Sequence, residues 1–159
     1  MKHSIFSKWL KVIIVGTTLI GLACCIFVVP FLADIFKHQY PEFSYWVLPW
    51  MLALYITAVP CFLAMGISWK IASNIGKDKS FCHENARLFF WYSRLAFGDS
   101  VFFLVVSVIY WLVGMNHPGL LIADLLVVFI GMAVFCCTAA LSYLVEKAAK
   151  LQDENDLTI

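Results

Sequence analysis

Charged residues are bunched along this chain, and the bunching leaves four long apolar stretches. Residues 12–33 and 43–69 carry no charge at all. Residues 88–113 are interrupted only by Arg94 and Asp99, and residues 119–145 only by Asp124. At a helical rise of about 1.5 Å per residue, the shortest of these stretches is roughly 33 Å long. That crosses a hydrocarbon core of about 30 Å. The pattern predicts four transmembrane helices. Charged segments separate the first three. The short Gly114-Met115-Asn116-His117-Pro118-Gly119 turn makes the last two an antiparallel hairpin. The expected fold is all-α, an integral membrane four-helix antiparallel bundle forming a single domain over 1–159. A loop at 70–87 and a tail at 146–159 lie outside the membrane.

Lysine and arginine set the expected orientation. Lys2, Lys8 and Lys11 precede the first span. Lys70, Lys77, Lys79 and Arg87 lie in the 70–87 loop, and Lys147 and Lys150 in the tail. The opposite side has only Lys37. The positive-inside rule then places both termini of this multi-pass protein in the cytoplasm. Trp9, Trp46, Trp50, Trp69, Trp91 and Trp111 all fall at span ends, where amphipathic rings favour the headgroup level. Among the tyrosines, Tyr55 is the mid-span exception. Gly21-Leu22-Ala23-Cys24 lacks the aliphatic residue a lipoprotein cleavage site wants at its first position. The apolar run also continues to Ala33, so an uncleaved helix is expected.

Composition agrees. Of 159 residues, 63% are apolar and 13% charged, against about half and about a quarter in soluble domains. A compact soluble fold of this size could not hide that much apolar surface. A soluble enzyme, a disordered chain and a nucleic-acid-binding domain are excluded. The net charge of +1 implies no polyanionic partner.

Intramembrane ionisable residues are functional candidates because burying them is costly. Arg94 lies about two turns inside the third span and is expected to snorkel to the headgroups. Asp99 lies near mid-membrane and is expected to face the bundle interior beside Gly98 and Ser100. Its two readings are a hydrogen-bonded packing residue and a proton or ion site. Asp124 sits near the outer end of the fourth span, as a polar plug there. Its depth differs from that of Asp99 by roughly 15 Å, too far for a carboxylate dyad. The six cysteines, Cys24, Cys25, Cys61, Cys82, Cys136 and Cys137, suggest no exported disulfide framework. His38 and His117 could approach each other on the outer face, but two ligands make a poor metal site. His83-Glu84 begins a metalloprotease pattern that Arg87 breaks. No catalytic residue, metal site or cofactor is expected, and the chain reads as a non-enzyme. Pro30 and Pro60 are expected to kink their helices. Gly76 permits a turn. The third helix is expected to start near Ser80 or Cys82, with Phe81 stapled against it.

The loop motif Phe81-Cys82-His83-Glu84-Asn85-Ala86-Arg87-Leu88 and the closing Glu154-Asn155-Asp156-Leu157-Thr158-Ile159 carry a resemblance. With the four-span layout, they make the chain similar to the YoaS-like small bacterial membrane proteins, a domain-of-unknown-function family. That family usually has Pro at the Ser80 position and Ser or Thr at the Cys82 position. The resemblance implies a cytoplasmic helix-turn-helix regulator as partner, because members are often encoded beside one. It supplies no catalytic or ligand-binding residues. The expected role is therefore a regulatory or interaction protein. Its docking surface would use Phe81, Glu84, Asn85, Arg87, Glu154, Asn155, Asp156, Leu157, Thr158 and Ile159. The alternative is a small ion- or proton-coupled transporter or channel using Asp99 and Asp124. Four short spans bury limited area, so a homo-oligomer is compatible with either.

Overall fold

The computed structural model of the protein describes residues 2–116 and 118–156. Among them every regular element is helical. They are α1 (Lys2–Ala23), a π turn (Cys24–Val28), α2 (Val29–Gln39), a 3-10 turn (Pro41–Trp46), α3 (Val47–Ile75), α4 (His83–Leu112) and α5 (Pro118–Asp156). Four helical stretches are long and apolar enough to cross a bilayer, the first made of α1, the π turn and α2 together. The protein is an all-helical membrane protein with four spans. Its two ends differ in charge, and the one that gathers nine of the eleven basic residues is here called the basic end.

The prolines act differently in the two spans that contain them. Pro30 has no N–H, and its ring crowds the carbonyl four residues back. The chain answers with the wide turn at Cys24–Val28, where the Val29 N–H reaches the Cys24 carbonyl. That turn loosens backbone acceptors inside the span. Tyr55 on α3 captures one of them, its hydroxyl donating to the Cys25 carbonyl at 3.1 Å. The mid-span tyrosine thus has a structural task that interfacial preference does not describe. Pro60 sits inside α3, which continues through it as a helix.

The spans touch in chain order: α1 and α2 against α3, α3 against α4, and α4 against α5. The α4–α5 contact is the most extensive. Its basis is a seven-residue interval of small side chains. Ala86, Ser93, Ser100 and Ser107 are all buried along one face of α4. Such an interval keeps one face on its partner when two helices wind around each other left-handedly. Small residues let the backbones approach, which drives helix association where no hydrophobic difference exists between protein and lipid. The approach is closest at Gly131 of α5, where a Cβ would overlap the Ser100 side chain. Ser93 and Ser100 donate back to the carbonyls of Phe90 and Ala96, so their hydroxyls cost little in the seam.

The turn after α3 differs from the glycine turn expected. Gly76 is right-handed, and the left-handed residue is Asp78, at φ 59°. What Gly76 supplies is room, because a Cβ there would stand 2.7 Å from the Ser7 hydroxyl of α1.

Candidate functional site

The densest set of polar contacts lies at the basic end, where it ties all four spans together. Ser7 of α1 donates to the Ala72 carbonyl of α3 at 2.6 Å. The α3–α4 connection is held by two asparagines. Asn74 Nδ2 donates to Asn85 Oδ1 at 2.8 Å and to Glu84 Oε2 at 3.1 Å. Asn85 Nδ2 in turn donates to the Lys79 and Ser80 carbonyls, each at 3.0 Å. The Asn74 carbonyl accepts the N–H groups of Lys77 and Lys79. The whole turn is thereby wrapped around two buried amides. Glu84 also meets Lys70 Nζ at 2.8 Å, and that ammonium beside it holds its carboxyl below the usual range. Ser142 of α5 donates to the Ala86 carbonyl at 2.8 Å.

A second cluster joins α4 to the part of α5 that runs past the apolar segment. α5 has 39 residues, about 58 Å of helix, so it overhangs a core of about 30 Å by several turns. Glu146 and Asp153 lie seven residues apart on that overhang. The imidazole of His83 sits between them, with Nδ1 2.9 Å from Glu146 Oε2 and Nε2 3.0 Å from Asp153 Oδ2. An ionised carboxylate accepts and cannot donate. Both ring nitrogens must therefore carry a proton, and the geometry asks for the imidazolium. Hydrogen bonds to Glu146 and then Asp153 accordingly push the His83 pKa up. The bond from His83 holds the Glu146 carboxyl below its usual range.

The residues expected to form a docking surface separate into distinct roles. Phe81 is 59% exposed and makes no staple against α4. The tight loop leaves its ring exposed. Arg87 is exposed on the next turn, and Glu84 is half-exposed and paired. Asn85 is only 1% exposed, so it shapes the loop and cannot contact a partner. Glu154 and Asn155 are exposed on the α5 overhang, and Asp156 ends that helix. Leu157, Thr158 and Ile159 lie outside the described residues. Cys82, standing at the helix start, makes no side-chain cap. Its thiol instead donates to the Lys79 carbonyl at 3.3 Å.

The intramembrane residues do not form one site. Arg94 is exposed, with its guanidinium 5.0 Å from the Phe90 ring centre, one turn toward the basic end. Asp124 is buried near the opposite end, accepting from Asn116 Nδ2 at 2.9 Å. That bond closes the α4–α5 turn. Asp99 is half-buried, and it lines a groove between α3 and α4 with Pro60 and Arg94. It faces the space between α3 and α4, with Oδ1 buried. Its neighbour Ser100 faces α5 on the other side of the helix. The six cysteines are free thiols. No group of three or more His, Cys, Asp and Glu side chains among the described residues is placed to hold a metal ion. His38 is hydrogen-bonded to the Asp34 carbonyl, and His117 lies outside the described residues.

The sequence alone did not bring His83, Glu146 and Asp153 together, and it passed over Asn74. The seven-residue spacing of Glu146 and Asp153 on a helix running past His83 was the available signal. Nothing in one dimension marks Asn74, whose partners come from the next helix.

The chain is 29% identical over 153 residues to the uncharacterized membrane protein YoaS of Bacillus subtilis (strain 168), covering 95% of this chain and 96% of that one. No solved structure matches it. The family model described as protein of unknown function DUF2975 matches residues 31–159, most of the chain including the α3–α4 loop and the α5 overhang, so the protein belongs to the DUF2975 family.

Proposed function

We propose that the protein is a membrane-embedded regulatory or interaction protein that docks a soluble DNA-binding regulator at its basic end. In this reading the basic end faces the cytoplasm of a bacterial cell, and both termini are inside. The asymmetry of lysine and arginine supports that orientation. The observation that carries the docking role is the rigid presentation of Phe81. A large aromatic side chain, 59% exposed, stands on a loop built around two buried asparagines, beside exposed Arg87. Aromatic and arginine side chains are the residues that most often anchor protein interfaces. Fixing them in advance lowers the ordering cost of binding. The α5 overhang flanks the loop and adds the acidic surface of Glu154 and its neighbours. The role is one of binding and not of catalysis.

The test is affinity purification of the full chain from native membranes in mild detergent, alongside Phe81→Ala and a form lacking residues 153–159. The reading expects a DNA-binding protein to co-purify and to be lost with either change. Recovery of the same proteins with all three forms would sink it.

A further inference from the structure

Two cavities, of about 240 and 260 Å³, lie end to end between α3 and α4 and share Ile56 and Phe102 as walls. Together they make one groove from Tyr110, near the end opposite the basic one, to Asp99 and Pro60. Along α3 the groove extends from Pro49 to Pro60, about 16 Å of helix. Most of its lining is hydrocarbon. The Tyr110 hydroxyl at its far end is already used, donating to the Pro49 carbonyl at 3.0 Å.

The polar groups collect at the Asp99 end, and apart from Arg94 they are acceptors. Asp99 Oδ1 is buried and has no hydrogen-bond donor. Pro60 brings no N–H to the Ile56 carbonyl, the acceptor its place in α3 would serve. Ile56, Pro60 and Asp99 all line the same cavity. Arg94 also lines this cavity, but its guanidinium lies over the Phe90 ring, one turn further toward the basic end. A carboxylate and a freed carbonyl in an apolar groove have no water to satisfy them. They are complementary to a group that carries positive charge and several N–H donors.

We propose that the α3–α4 groove binds a membrane-dissolved amphiphile with a primary ammonium head, the head at Asp99 and the hydrocarbon running toward Tyr110. An ammonium has three donors and no acceptor, which suits two acceptors and a lone negative charge. An alcohol would leave that charge unopposed. A fatty acid would place a second carboxylate against the first. The groove is separate from the loop at the basic end, so this inference stands whether or not a soluble partner docks there.

The full-length protein in a non-ionic detergent would be titrated with dodecylamine, dodecanol and dodecanoate, and binding read by native mass spectrometry. One dodecylamine is expected per chain. Asp99→Asn should weaken it about ten-fold or more. Gly98→Leu should weaken it comparably while leaving Asp99 in place, because Gly98 lines the groove and a Cβ there meets no atom within 4 Å, which leaves room for a leucine to occupy it. Arg94→Gln should bind equally or more tightly, since it removes a like charge. Retained amine binding in either Asp99→Asn or Gly98→Leu would overturn the proposal. So would dodecanol or dodecanoate binding as tightly as the amine. If Asp99→Asn does not fold, Gly98→Leu alone decides.

Discussion

The two sides of α4 are built on opposite principles. One side carries Ala86, Ser93, Ser100 and Ser107 and meets α5 so closely that Gly131 has no room for a methyl group. The other side carries Gly98, Asp99 and Phe102 and stands off from α3, leaving a groove. Residues 98 to 100 pass from one regime to the other within three positions. In a bilayer no hydrophobic force closes such a gap, because lipid tails solvate apolar side chains as well as a neighbouring helix does. Only small residues in register or hydrogen bonds pull helices together. The α4–α5 seam has both. The α3–α4 pair has polar ties at the basic end, around Asn74 and Asn85, and at Tyr110 near the other end. Between those ties it is free to hold something else.

The contrast is broken most severely at Gly131. Gly131→Leu should lose about 3 kcal/mol of stability or fail to assemble, since the added side chain must displace Ser100. Gly98→Leu makes the same chemical change on the opposite face of α4 and should be close to neutral. Unfolding by denaturant in detergent micelles compares the two directly. Equal losses would mean that the faces do not differ. Next in size is Asn85→Ala, which removes the buried amide that holds the turn. It should cost about 2 kcal/mol and make the bonds near Lys79 and Ser80 sensitive to protease. Unchanged proteolysis would show that the turn is held by other means. Tyr55→Phe deletes the hydroxyl that serves the π turn and should cost about 1 kcal/mol. It should loosen α1 from α3 and leave the α4–α5 seam untouched, as hydrogen exchange of the two pairs would reveal.

The smallest effect is local and depends on pH. Because the His83 pKa is raised in the folded protein, its contribution is complete below the ordinary histidine value of about 6.5. It is lost as pH rises through the raised value. Because the Glu146 pKa is lowered, its contribution is complete above about 4.5 and is lost as pH falls through the lowered value. The latch on the α5 overhang should therefore be tightest between about pH 4.5 and 6.5. Amide exchange over residues 147–156 should speed up as pH rises through the raised His83 value, beyond the intrinsic base-catalysed increase, and His83→Gln should remove that excess. Global stability should hardly move, because the groups are solvent-exposed.

Several features were legible in the chain before any geometry. The four spans follow from where charge is absent. Asp124 near a helix end was readable as a plug, because a polar side chain one or two turns from a helical turn finds a partner locally, here Asn116. The site was less legible. Asn85 looked like a surface residue because its motif is polar and lies in a loop, yet it is buried by Asn74 from a different helix. Phe81 looked like a staple because it precedes a helix start, yet the two amides hold the loop so that its ring points outward. His83 was set aside once Arg87 broke the metal pattern. Its partners lie 63 and 70 residues further along the chain.

By itself the sequence determined how many helices are long and apolar enough to cross the bilayer and which end carries the positive charge. Those properties depend on the cost of taking each residue into hydrocarbon, which is summed along the chain and needs no knowledge of neighbours. Only the tertiary structure decided which face of each helix meets which. Helix rotation and register depend on shape and hydrogen bonding between segments far apart in sequence. A single turn of 100° per residue is all that separates Ser100 in a closed seam from Asp99 in an open groove.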